Sequence, residues 1–385
     1  MNILVQLSHP AHFHLYKVCI RNWQSDGHQV FVLIKTKDIL EELLLKSSIP
    51  YYNILPVAHR KNRIGILIDM FIRDWKILRF CLKHKVDFLT GSTPEVTHVS
   101  WLLRKWSVNT GEDDLAVVPA FEKVVQPFMQ CFICPSVCDA GVLSLKTMHY
   151  PSYHELAYLH PNHFTPNREL VEKYGIDTSE PYFVMRFASL HAHHDKGIKG
   201  INREIAAKLV KILKPHGQIY ITSERPLEPE FEPYRIKINP LDMHHVMAFA
   251  SLYIGDSQTM AAEAGVLGTP FVRYNDFVGR LGYLDELEEP QTKQYVDYLH
   301  LDHHYNLGVG IRASEEGSEA RLYATVEQMV TLTSEERKRI YSARQEKMLS
   351  EKIDYAKFLT WFIENYPESV KQSKQADSTF WEQFK

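Results

Sequence analysis

Residues 252–270 read LYIGDSQTMAAEAGVLGTP. Leu252–Gly255 has the length and composition of a buried strand. Asp256, Ser257 and Thr259 then offer N-cap side chains. An Ala-rich stretch through Ala261, Ala262 and Ala264 propagates a helix, and Gly268 and Pro270 stop it. A strand that turns directly into a capped helix leaves amide N–H groups at the positive end of the helix dipole, which is an anion site. Glu263 follows Thr259 by four residues, on the same face and about 6 Å along the axis. That is close to the spacing between a diphosphate and the hydroxyls of its ribose, so Glu263 is a candidate ribose ligand and Ser257, Gln258 and Thr259 are candidate phosphate ligands. A capped structural helix with a solvated Glu would look the same.

Strand and helix patterns alternate on both sides of this segment. Strands are expected at 2–7, 29–34, 86–90, 106–109 and 131–134, with helices at 12–25, 38–46, 64–84, 95–104 and 117–129. After a Pro-, His- and Tyr-rich connection over 150–180, strands are expected at 182–186, 218–222, 252–255 and 271–273. Helices are expected at 200–213, 242–249 and 257–267, and the tail over 334–366 has helical period. Strand–helix–strand with short connections is the signature of parallel sheets. The expected architecture is α/β and GT-B-like, with two Rossmann-like, doubly wound domains facing each other across a cleft that takes the ligand. The first is placed at 1–165, on the acceptor side. The second is placed at 166–385, binding the nucleotide sugar and carrying the C-terminal helices.

At 385 residues the chain has room for two such domains. Lys+Arg is 44 and Asp+Glu 47, a formal net charge of −3, which argues against bulk nucleic-acid binding. The start, MNILVQLSHP, lacks a signal-peptide pattern. No apolar run is long enough to span a membrane. The five Cys are expected to be reduced thiols in a cytoplasmic protein.

The segment 256–264 resembles the nucleotide-sugar motif of the UDP-N-acetylglucosamine 2-epimerases, Asp-Ser-Gly-Gly-Ile-Gln-Glu-Glu-Ala. In that family the Ser and glycines hold the diphosphate and the second Glu the ribose. The resemblance gives these roles to Ser257 and Glu263, and Gln258 and Thr259 stand where the family has glycines. SHPAHFHLYKVCIRNWQSDGHQV (8–30) resembles the first turn and helix of the lipid-linked N-acetylglucosaminyltransferase of peptidoglycan synthesis, whose His corresponds to His12. Its Gly-rich loop is replaced by Ser8, His9, Pro10 and Ala11. Taken whole, the chain resembles the domain-of-unknown-function 354 family at 8–17, 153–167, 186–200, 221–228 and 255–270. That resemblance implies two Rossmann-like domains and nucleotide-sugar chemistry.

Further side chains complete the candidate site. His12 could deprotonate an acceptor hydroxyl, since imidazole titrates near neutrality; a capping or packed His is the alternative, more so for His14. Adjacent carboxylates raise one another's pKa, which makes Asp113 or Asp114 in Glu112-Asp113-Asp114 an acid–base candidate beside a plain cap and loop. Arg186, His193, His194 and Lys196, with Arg225, could balance a leaving diphosphate. His12-x-His14 and 191–195 could instead ligate metal, as could Cys131, Cys134 and Cys138. The helix at 64–84 reads as core-packed with a basic outer face, or as a surface touching an anionic membrane.

These residues imply a metal-independent glycosyltransferase that needs no cofactor. Its donor would be a nucleotide-diphospho sugar, most simply UDP-linked, and its acceptor a glycan or lipid-linked glycan in surface polysaccharide or glycoconjugate synthesis. It would be cytoplasmic, with peripheral contact at the inner face of the membrane. A sugar-nucleotide 2-epimerase and a non-catalytic nucleotide-sugar binder are the alternatives.

Overall fold

The computed structural model describes residues 1–55, 63–188, 199–290 and 304–385. It divides into two compact units, Met1–His163 with Lys352–Lys385, and Phe164–Glu351.

In the first unit the strands are β1 (Asn2–Leu7), β2 (Gln29–Lys35), β3 (Tyr51–Leu55), β4 (Phe88–Gly91), β5 (Trp106–Thr110), β6 (Phe132–Pro135) and β7 (Thr147–Tyr150). Among the described residues they form a seven-stranded sheet in the order β3-β2-β1-β4-β5-β6-β7. Every neighbouring pair is parallel. The order reverses between β1 and β4, the point at which doubly wound sheets bind ligands. Gly91 ends β4 there with φ +149°, and a Cβ on it would lie 2.5 Å from the carbonyl oxygen of Gln6. Only a glycine lets the two strands part at that distance.

The first helix, Pro10–Ser25, buries Phe13, Tyr16, Ile20 and Trp23, the face read from its spacing. That face finds its cover far along the chain. Cys19 Sγ lies 3.8 Å from the carbonyl of Ala356, Asn22 Nδ2 donates to Thr360 Oγ1 at 3.2 Å, and Trp23 Nε1 donates to the carbonyl of Thr360 at 3.5 Å. Residues 352–385 therefore pack on the first unit, not the second as expected. The expected connection also starts later than 150. Tyr150, Tyr153, Leu156 and Ala157 are fully buried, Tyr150 stacks on Tyr355 at 4.1 Å, and the first unit runs to His163. Asp354 ties the two segments together, 2.7 Å from His163 Nε2 and accepting from Asn162 Nδ2 at 3.1 Å.

The helix Arg63–His84 is also turned differently from expectation. Ile77 and Cys81 face the core. Arg73 Nε donates to Glu95 Oε1 at 2.5 Å in a pair largely shut from water, and Lys76 donates to the carbonyl of Ile54 at 2.7 Å. These polar tethers occupy the inner side, so Leu67, Ile68, Phe71, Trp75 and Leu82 point to solvent. No helix among the described residues is long and apolar enough to cross a membrane.

In the second unit the strands are β8 (Tyr182–Phe187), β9 (Gln218–Ser223), β10 (Leu252–Gly255), β11 (Phe271–Tyr274) and β12 (Gly308–Ile311). Among the described residues they form a parallel sheet in the order β12-β11-β10-β8-β9. The order reverses between β8 and β10. The helix Gln258–Val266 leaves β10 at that point.

Candidate functional site

Ser257 is the N-cap of the helix Gln258–Val266, with extended backbone and its side chain accepting from the N–H of Met260 at 3.4 Å. Ser257, Gln258 and Thr259 are half-buried. A helix supplies no internal acceptors for its first N–H groups, so the start of this helix keeps the anion-binding geometry read from the sequence. Just before it, the end of β10 is crowded against β8, since a Cβ on Gly255 would meet Tyr253 Oη at 2.4 Å and Arg186 Cβ at 3.0 Å.

Asp256 does not cap the helix. It is buried, and its two carboxylate oxygens accept the N–H groups of Ala188 at 2.6 Å and Ile201 at 3.1 Å. Burial pushes its pKa up to about 6, against these stabilising N–H bonds. Asp276 accepts the N–H of Lys199 at 2.8 Å. The chain on both sides of 189–198 is thus fastened to the sheet edge. His193, His194 and Lys196 lie outside the described residues.

Glu263 is buried, not solvated, and its Oε1 lies 2.8 Å from His244 Nε2 on the helix Met243–Ala248. Arg186 lies between Gly255 and Thr222 in the sheet register. Its guanidinium donates to Thr222 Oγ1 at 2.8 Å and to Glu224, while Nε is buried without a hydrogen bond among the described residues. The hydroxyl of Tyr253, close by, is also buried without one. Arg225 donates to Glu228 at 3.1 Å and to the carbonyl of Ile201 at 3.2 Å. It therefore braces the loop after β9 and is not a free cation. Sequence reasoning missed a fully buried guanidinium on β11. Arg273 is bound at two points by Glu288, at 2.6 and 3.0 Å, beside Gly255 in the register.

At the edge of the first sheet, His9 caps the first helix by accepting the N–H of Ala11 at 3.2 Å. His12 turns back, with Nδ1 3.3 Å from both the N–H and the Oγ of Ser8. Burial holds its pKa well below the ordinary value, helped by His9, His154 and Lys35. Since the Ser8 N–H can only donate, the neutral ring accepts at Nδ1 and carries its proton on Nε2. His12 thus presents a donor where the sequence suggested a base. His14 is buried beside Tyr158, ring centroids 5.2 Å apart.

Glu112, Asp113 and Asp114 follow β5. Burial, then the charges of Glu112 and Asp114, raise Asp113 to about 7. Asp114 accepts the N–H of Asp139 at 2.6 Å. Glu112 Oε2 lies 3.0 Å from Nδ1 of His154, a residue the sequence did not single out. His154 is buried, stacked on Tyr355 at 5.4 Å, and its Nε2 has no hydrogen bond among the described residues. Cys131, Cys134 and Cys138 are buried free thiols, the first two pushed up by burial to about 12. Among the described residues no group of three or more His, Cys, Asp or Glu is placed to hold a metal ion.

No family model matches the chain, and no curated protein matches it either. Solved structures do. MnaA of S. aureus with UDP aligns with TM-score 0.63 and 10% identity, over 97% of this chain and 98% of that one. The UDP-GlcNAc 2-epimerase of Neisseria meningitidis bound to UDP-GlcNAc aligns with TM-score 0.54 and 11% identity, over 91% and 100%. The spinosyn rhamnosyltransferase SpnG with spinosyn aglycone aligns with TM-score 0.56 and 11% identity, over 94% and 100%. At these identities the likeness is one of fold, and the fold is the two-unit α/β fold of GT-B type.

Proposed function

We propose that this chain is a metal-independent glycosyltransferase of GT-B type whose donor is a nucleotide-diphospho sugar, UDP-linked, bound in the second unit. The observation that carries the reading is the Ser257-capped helix at the second sheet's switch point, with buried Glu263 further along the same helix. The end-to-end likeness to folds solved with UDP and UDP-GlcNAc supports it. In this reading the first-turn amides at Ser257, Gln258 and Thr259 hold the diphosphate, and Glu263 holds the ribose. Arg186 steadies the phosphates through its Nε, and Arg225 keeps the neighbouring loop in place.

An acceptor hydroxyl attacks the anomeric carbon. The bond from that carbon to the phosphate oxygen breaks, and the electron pair leaves with the nucleoside diphosphate. Asp113 takes the hydroxyl proton, and its pKa of about 7 suits that task near neutrality. Asp114 fixes the loop, and His12 offers an N–H donor. The family reading, domain-of-unknown-function 354, and the setting in cytoplasmic surface-polysaccharide or glycoconjugate synthesis belong to this proposal and rest on the resemblance.

Titration calorimetry with UDP tests the donor site. Glu263→Gln is expected to lose about 2 kcal/mol of affinity, the scale of a charge-assisted hydrogen bond. Unchanged affinity removes the ribose assignment. The carboxylates at 112–114 also favour a second reading, a 2-epimerase. UDP-GlcNAc incubated without acceptor separates the two, since epimer or free sugar means epimerase. Tight binding with no turnover in the presence of plausible acceptors means a non-catalytic binder.

A further inference from the structure

The outward face of the helix Arg63–His84 carries a run of apolar side chains. Leu67, Ile68, Phe71, Trp75 and Leu82 are between 43% and 66% exposed. At 100° per residue they fall within about 100° of arc and run for about 22 Å along the helix. Half-buried Leu78 lies inside the same arc. A helix that packs on a core normally turns such a stripe inward. Here the inward side is held by the Arg73–Glu95 pair and the Lys76 tether.

The exposed charges along the stripe on this helix have one sign. Arg79 and Lys83 are exposed and lie along one flank. Arg79 stacks on the Trp75 ring, 4.8 Å from its centroid. Of the helix's two acids, Asp69 is buried, and Asp74, at the opposite edge of the stripe, is half-buried and 3.0 Å from Nδ1 of His98. In a chain of net charge −3 this basic flank is a local feature.

We propose that this face docks in the interface of an anionic lipid bilayer, Phe71, Trp75 and Leu82 entering the acyl boundary and Arg79 and Lys83 meeting the headgroups. An amphipathic helix lying in a bilayer surface combines an apolar stripe, an aromatic and a cationic edge in this way. A second copy of the chain fits less well. An isologous pairing sets the face against itself, and among the described residues of this helix the face holds no exposed acid to meet the cations. The proposal concerns the first unit alone and stands whether or not the second unit binds a nucleotide sugar.

Vesicle co-sedimentation of the full chain tests it, with phosphatidylcholine vesicles and vesicles containing one quarter phosphatidylglycerol. The wild type is expected to partition onto the anionic vesicles at least tenfold better, and less as salt rises. Phe71→Glu with Trp75→Glu abolishes partitioning. Arg79→Glu with Lys83→Glu removes the preference for anionic lipid. Both double variants should melt within a degree or two of the wild type, because the exchanged side chains are exposed. Equal partitioning of wild type and variants, or no preference for anionic lipid, overturns the proposal. So does sedimentation equilibrium that shows a dimer which the Phe71→Glu, Trp75→Glu variant turns to monomer, since the occupant is then a second copy.

Discussion

At the C-terminal edge of the second sheet, Arg186 meets Thr222 and Glu224, Arg225 meets Glu228, Arg273 meets Glu288 and Glu263 meets His244. At the same edge of the first sheet, three carboxylates stand in a row with Asp113 raised to about 7, and His12 is held well below its ordinary pKa. The second edge pairs its charges, with Asp256 raised to about 6 as the exception, and the first, beside its Glu112–His154 pair, shifts the proton affinity of Asp113 and His12. Pairing fixes geometry and keeps the charge, which suits holding an ionised ligand. Burial beside like charges moves a group toward the pH at which it exchanges protons, which suits acid–base chemistry. Breaking a pair in the second edge should therefore cost stability, whereas neutralising a group in the first should change how stability depends on pH.

The largest effect is expected at Arg273. Its guanidinium is fully buried and Glu288 is nearly so. Arg273→Met strands that carboxylate and should cost about 3–5 kcal/mol, read from urea unfolding. Arg273→Met with Glu288→Met should recover most of the loss, since a matched apolar pair leaves no buried charge. A single variant within 1 kcal/mol of the wild type would show that this edge does not depend on pairing.

His244→Ala comes next. It leaves the buried Glu263 without its 2.8 Å partner and should cost about 1–3 kcal/mol. The same melts check it, and a loss limited to a few tenths breaks the comparison at the ligand-bearing helix itself.

Asp113 tests the other edge by slope. Its folded pKa is raised above its unfolded one, so its contribution to stability is complete below the unfolded value. That contribution is lost as pH rises toward the folded value of about 7. The wild type should lose at most about 1.4 kcal/mol per pH unit on this account between pH 4 and 7. Asp113→Asn should flatten that slope and sit above the wild type at pH 8. Parallel pH profiles would mean that Asp113 is ionised throughout and is no proton carrier.

The contrast between the edges bears on what the sequence could disclose. The β–α alternation gave both sheets and the exit of the Gln258–Val266 helix, because burial of parallel strands leaves continuous apolar runs. It missed β3, β7 and β12, short strands at sheet edges, where one-sided pairing weakens the apolar signal. The first helix showed that it had a face to bury, but Ala356 and Thr360, which cover it, lie 337 residues beyond Cys19 and Trp23. Ser257 was legible because capping is local. The spacing of Glu263 was legible too, yet its partner His244 sits on another helix, 19 residues upstream. Glu112 and His154 meet only through the fold, so neither the pair nor the inward turn of His12 has a signature in the chain.

His12 carries the smallest and most discriminating prediction. Its two contacts to Ser8 are 3.3 Å long, weak by hydrogen-bond standards. His12→Gln should therefore cost no more than about 1 kcal/mol. The informative measurement is nitrogen NMR of the imidazole. A ring that accepts from the Ser8 N–H must keep Nδ1 bare, and burial disfavours the cation. Its spectrum should show the Nε2–H tautomer, unprotonated, from pH 8 down past 6.5. Protonation at or above 6.5 would make His12 an ordinary solvent-facing base, and would remove one of the two shifts that set the first edge apart from the second. The neutral tautomer would instead leave the acceptor's proton to Asp113, and His12 would serve the same edge by donating from Nε2.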